Sequence, residues 1–283
     1  MRALLPLNDQ PTTVAAWKCA VEALSINGNH AYNLVYSVTQ PESLTSGDKK
    51  AIRLFDSFAL EHHLNTTDTV ANTIFPLDTF TSQGADDFYD FYLDRVFPKV
   101  RKQWGTYFER LIRRRNDDGT IMMKEGKPFN PLALLVDKLG RRAANLGRTT
   151  THYELTLDDP GFDLATYDPH HDGAYQVGGP CLSHISFKVD SAGQIRLTAF
   201  YRSHWYIARA LGNLIGLARL QSFVAQQVHS VAGPLTIFAS EAVLDLSGKG
   251  RSAADVRAML KACETRLGED QNNRRSDSMG VRQ

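Results

Sequence analysis

Cysteine, long apolar runs and net charge are all scarce in this sequence, and each shortage removes a class of protein. The three cysteines (Cys19, Cys181 and Cys263) form no CxxC pair. That excludes a dense disulfide scaffold and a thiolate zinc module, and it fits a reducing cytoplasm. No apolar run approaches the roughly 20 residues needed to span a bilayer. The opening stretch, MRALLPLNDQPTT, has one basic residue and a short apolar piece, unlike a secretory leader. Lys and Arg number 32 against 31 Asp and Glu, a net charge of +1. Such a balance offers no electrostatic case for a dedicated nucleic-acid binder. Internal repeats and low-complexity tracts are absent, as are GxGxxG, Walker A, HExxH and GxSxG motifs. The expectation is a cytoplasmic globular protein without membrane or nucleic-acid partners.

What is present suits a packed core. The chain has 283 residues, 42% of them hydrophobic and 22% charged, enough for one large α/β or α+β core. Thr12-Thr13 caps a first helix, and Asn33–Val38 reads as a strand because its residues favour a pleated surface. Ser46-Gly47-Asp48 opens a second helix. Aromatics from Phe88 to Phe108 mark a helix-rich segment that Pro98 should divide. Arg113 to Pro128 reads as an exposed loop or short hairpin, and its three arginines as a solvated face. Pro131 starts another helix, and residues 149–157 are β-like. Ile185–Val189 and Gln194–Phe200 alternate about the turn Asp190–Gly193, a hairpin pattern. Residues 206–228 form a helix apolar on too many faces to lie on a surface. A buried strand (Leu235–Ala239) and a terminal helix (Ala253–Leu267) follow. The reading is α+β: a single domain over 1–267 with a polar, disordered tail over 268–283.

His170-His171-Asp172 has the composition of a metal cluster, but adjacent histidines seldom point the same way, so no metal site is expected. A different constellation surrounds the hairpin. Gly179-Pro180-Cys181 precedes its first strand, and its second strand runs into Tyr201-Arg202-Ser203. The core helix that follows carries Asn213. A cation beside a thiol favours the thiolate, the nucleophilic form.

The stretch GGPCLSHISFKVDSAGQIRLTAFYRSHWYIARALGNLIGLARLQSFVAQQV resembles the catalytic half of thymidylate synthases and the related pyrimidine-nucleotide hydroxymethylases. The match covers roughly residues 177–245. Weaker echoes lie upstream, at Trp104-Gly105-Thr106-Tyr107 and at Leu146-Gly147-Arg148. The resemblance implies a thymidylate synthase-like mixed sheet covered by a long core helix and further helices. It implies that Cys181 adds to C6 of a pyrimidine, making C5 a carbon nucleophile that takes a one-carbon unit from 5,10-methylenetetrahydrofolate. Arg202 and Ser203 would hold the nucleotide phosphate. Arg148 would reach the partner's phosphate in a homodimer with shared sites. Asn213 would read the base, and its amide matches uracil better than cytosine. Tyr107, Tyr201 and Trp205 would line the pocket.

The departures from that family are as informative. Tyr201 replaces the Gln before Arg-Ser, Trp205 an Asp that anchors folate, and Arg209 a flexible Gly. Leu182 stands for the His beside the nucleophile, and Asn72 occupies the place of a catalytic Glu. Glu241–Asp245 lacks the His and Tyr of the ribose-binding segment. Folate contacts are therefore altered. Two readings stay open: a one-carbon transferase acting on a uridylate-type nucleotide, or a non-catalytic homologue that binds a nucleotide or a protein partner.

Overall fold

The computed structural model describes residues 4–101, 106–116, 118–144, 151–157, 180–248 and 250–280, without the side chains of Asp86 and 268–280. In chain order the elements are β1 (Leu5–Pro6), α1 (Thr13–Ile26), β2 (His30–Val38), α2 (Ser46–Glu61), α3 (Thr67–Ala71) and α4 (Leu77–Phe91). A π-helical turn (Tyr92–Val96), α5 (Phe97–Val100), α6 (Tyr107–Ile112), β3 (Met123–Lys124), β4 (Lys127–Pro128) and α7 (Pro131–Ala143) follow. Next come β5 (Glu154–Thr156), β6 (Leu182–Val189), β7 (Ile195–Trp205) and a second π-helical turn (Tyr206–Ala210). The chain closes with α8 (Leu211–Gln227), β8 (Ala232–Val243) and α9 (Ala253–Gly280). This is an α+β fold. Its six-stranded sheet runs β1-β2-β8-β7-β6-β5, and of the two forms expected for Arg113–Pro128, exposed loop or short hairpin, β3-β4 is the hairpin. β1 pairs with β2 in parallel, whereas β2-β8, β5-β6 and β6-β7 are antiparallel.

Local chemistry explains most boundaries. Thr12 Oγ1 accepts from Ala15 N and caps α1. Thr45 and Asp48 form a reciprocal capping box at the start of α2. Pro98 falls at the first turn of α5, where its missing N–H costs nothing, and so the helical segment restarts there.

Contacts divide the chain into two compact units, the first holding Met1–Ala71, Ser203–Ala218 and Pro234–Gln283, the second Asn72–Arg202 and Arg219–Gly233. In the first, Trp17, Leu24, Leu34, Tyr36, Tyr206 and Ile237 are buried. The Trp17 indole donates to Tyr206 O at 2.7 Å, and the Tyr206 hydroxyl donates to the Tyr36 hydroxyl at 3.3 Å. Gly212 is required where α8 crosses α3, because a Cβ there would meet Val70 Cβ at 2.5 Å and Thr67 O at 2.8 Å. In the second unit, Phe75, Phe80, Phe88, Phe108 and Phe223 form a ring cluster with centroid separations of 5.0–6.0 Å. Such tilted and edge-on pairs suit the ring quadrupole. The apolar side of β6 and β7 (Ile185, Phe187, Ile195, Leu197) is buried here. Gln221 of α8 ties the helix to it, donating to Ile195 O at 2.7 Å and Gly233 O at 2.9 Å.

Candidate functional site

The hairpin β6-β7 brings the two ends of the sequence constellation together in the second unit. Its turn is built from Asp190, whose Oδ1 accepts from Ala192 N and Gln194 N, with Gly193 at φ +79°. Register then carries Lys188 opposite Arg196 and Leu182 opposite Tyr201, with one slip between Leu182 and His184. One step further, Arg202 N donates to Cys181 O at 2.8 Å, and the Arg202 guanidinium donates to Pro180 O. A second element grips the same peptide from α6. The Tyr107 hydroxyl accepts from Cys181 N at 3.0 Å and from Leu182 N at 3.4 Å. The backbone of Pro180–Leu182 is thus held by a strand on one side and a helix on the other.

The start of α6 is itself anchored. Thr106 Oγ1 accepts from Glu109 N and shares a hydrogen bond of 2.8 Å with the Tyr92 hydroxyl. Glu109 is 3% exposed and pairs with Arg113 and, at 3.6 Å, with Arg115. Arg113 also lies over the Phe97 ring at 5.0 Å. Two arginines read as a solvated face therefore hold a buried carboxylate, a role their run of like charge does not display.

The three thiols differ. Burial pushes Cys263 up to about 12. Burial and then the Glu22 carboxylate also raise Cys19. Cys181 is half-buried, its peptide bonded to the backbone and guanidinium of Arg202.

Other site candidates are distributed as follows. Tyr201 is fully buried in the second unit, and Arg202 is exposed. Ser203, Trp205 and Asn213 belong to the first unit, Ser203 half-buried and Trp205 52% exposed. Asn213 is 3% exposed, and its Nδ2 donates to His204 Nε2 at 3.2 Å. Burial drives His204 down to about 3, so at neutral pH the ring is uncharged and its Nε2 can accept. No motif marks His204; its inward position on β7, two residues before the core helix, is the signal that it offers. Asn72 accepts from Arg219 at 3.1 Å. Glu241 meets His30 at 3.0 Å, while Asp245 accepts from Ile207 N and Ala208 N and pairs with Arg251. Both carboxylates of the segment matched to ribose binding thus have partners within the fold. Arg148, Trp104, Gly105 and His170-His171-Asp172 lie outside the described residues. Among the described residues, no cluster of three or more His, Cys, Asp or Glu could hold a metal ion, and no helix is long and apolar enough to cross a membrane.

No protein-family model matches this chain, and no curated protein matches it. Among solved structures it is similar to thermostable thymidylate synthase A from Bacillus subtilis, with a TM-score of 0.39 and 11% identity over 75% of this chain and 65% of that one. It is likewise similar to thymidylate synthase from T4 phage, with a TM-score of 0.39 and 12% identity over 75% of this chain and 66% of that one. The chain spans just under two thirds of the length of these proteins.

Proposed function

We propose that the protein is a divergent thymidylate synthase-like transferase that adds a methyl or hydroxymethyl unit to C5 of a uridylate-type pyrimidine nucleotide. The observation that supports this most is the joining of Cys181 to Arg202 across the end of the hairpin, with Tyr107 on the other side of the same peptide. Cys181 acts as the nucleophile at C6, a soft conjugate acceptor suited to sulfur. Arg202 and Ser203, with Arg148 from a partner subunit, bind the phosphate, and Asn213 reads the pyrimidine edge. Tyr107, Tyr201 and Trp205 line the pocket. The one-carbon donor is 5,10-methylenetetrahydrofolate or a relative with fewer contacts, since Trp205 and Arg209 stand at the folate-facing positions. The protein acts as a homodimer in the cytoplasm.

The test is intact-mass and peptide-level spectrometry after incubation with a 5-fluoro-uridylate nucleotide, with and without the folate. A nucleotide adduct on Cys181, absent from Cys181→Ala, is the expected result. No adduct, and no nucleotide binding by calorimetry, overturns the reading. A second reading, a non-catalytic nucleotide- or protein-binding homologue, is favoured by one specific feature. The groups meant to contact ligand already have partners in the chain: Arg202 has Pro180 O, and Asn213 has His204. Nucleotide binding without an adduct would select it.

A further inference from the structure

A cavity of about 930 Å³ in the first unit is lined by none of the residues proposed to bind nucleotide. One wall is the cap Thr12 and the face of α1 that carries Ala15, Lys18, Cys19 and Glu22. From Thr12 to Glu22 a helix rises about 15 Å, so the cavity is an elongated groove. Asp48 of α2 and Glu264 of α9 also line it.

Charge is placed at both ends. At the Thr12 end lies Asp48, 2% exposed, whose Oδ1 accepts from Thr12 Oγ1 at 3.3 Å and whose Oδ2 accepts from Thr45 N at 2.8 Å. Among the described residues it meets no basic side chain. At the other end Glu22 and Glu264 share Lys18, at 3.0 and 3.5 Å. Along α1 between the ends lie Ala15 and Cys19, while Leu44 and Leu267 add apolar surface to a lining that also holds Gln10, Gln40 and Ser43. The raised Cys19 thiol is uncharged at neutral pH and belongs with this apolar stretch. Three carboxylates face one ammonium and about half a positive charge from each of two helix starts, which leaves a net charge of about −1.

We propose that this groove binds a short aliphatic polyamine, with ammonium groups at its two acidic ends and methylenes along the apolar middle. The shape excludes a compact cation as the preferred ligand, because no single point in the groove gathers all three carboxylates. The volume is within the ordinary range of small-molecule sites. The inference does not depend on Cys181 or on the proposed transferase activity.

The test is calorimetry of the full chain at low ionic strength with spermidine, against butylamine as the single-charge control. Saturable 1:1 binding of spermidine, with butylamine much weaker, is expected. Glu22→Gln combined with Glu264→Gln should weaken spermidine by about fivefold to tenfold, the worth of two exposed ion pairs. Ala15→Leu, which fills the middle without changing charge or helix preference, should weaken it at least as much. Absence of saturable spermidine binding overturns the proposal. So does binding that both variants leave unchanged, which would mean amines collecting over the general surface.

Discussion

The two units solve the same packing problem with different chemistry. In the first, the large side chains are tied by polar bonds: Trp17 to Tyr206 O, Tyr206 to Tyr36, Asn213 to His204. In the second, five phenylalanine rings pack on one another. Polar ties in a low-dielectric interior specify one arrangement, yet they introduce groups that can titrate or lose a partner. A ring cluster has nothing to titrate, but truncating one member leaves a hole. The comparison therefore predicts sensitivity to acid at the His204 tie of the first unit and to side-chain loss in the ring cluster of the second.

The largest effect should come from the ring cluster. Phe88→Ala should cost about 3–5 kcal/mol, the range for deleting a buried aromatic ring. Residue-resolved hydrogen exchange should show the loss in amides of the second unit; a cost under about 1 kcal/mol would mean the rings are not its core. Next comes acid. His204 is neutral in the fold, with its ionisation depressed from 6.5 to about 3, so the unfolded chain binds the extra proton between those values. Stability is complete above pH 6.5 and falls on acidification, by up to about 1.4 kcal/mol per unit. Urea melts at pH 7 and pH 5 should show this slope in the parent protein and a flatter one in His204→Phe. Equal slopes would remove His204 as the cause.

A smaller cost, about 1–3 kcal/mol, is expected for Tyr107→Phe, which keeps the ring but leaves the Cys181 and Leu182 N–H groups without that acceptor. Exchange at those two amides should accelerate while the Ile195–Ala199 stretch stays protected. Trp205→Ala should change stability by no more than about 0.5 kcal/mol, since the side chain is half exposed. If Trp205 lines a nucleotide pocket, ligand affinity should fall even though stability does not.

Much of the second unit's hairpin could be read from residues alone. Alternation over Ile185–Val189 and Gln194–Phe200, with a Gly-containing turn between, leaves little choice of register once one face is apolar. The same pattern carried Cys181 and Arg202 to one end of the hairpin, and the structure joins them. Pattern is silent on partners that come from remote segments. Tyr107 lies 74 residues from Cys181, and nothing in an isolated Tyr announces that its hydroxyl will accept two strand amides. The Asn213 amide is visible in the sequence, but the ring that takes its hydrogen bond sits on another element.

By itself, then, the sequence determined the elements whose causes are local: the cap at Thr12, a helix start at Ser46-Gly47-Asp48 whose cap the structure places on Thr45, the division at Pro98, the hairpin turn at Asp190–Gly193, and the all-round apolar character of α8. Tertiary structure decided what each polar side chain is for. It turned Arg113 and Arg115 into partners of buried Glu109, Asp245 into the acceptor at a helix start, and one stripe of α1 into the wall of a groove. The physical reason is range. Caps, turns and periodicity act over a few residues of chain, whereas a buried charge or amide takes whichever partner folding brings within 3 Å.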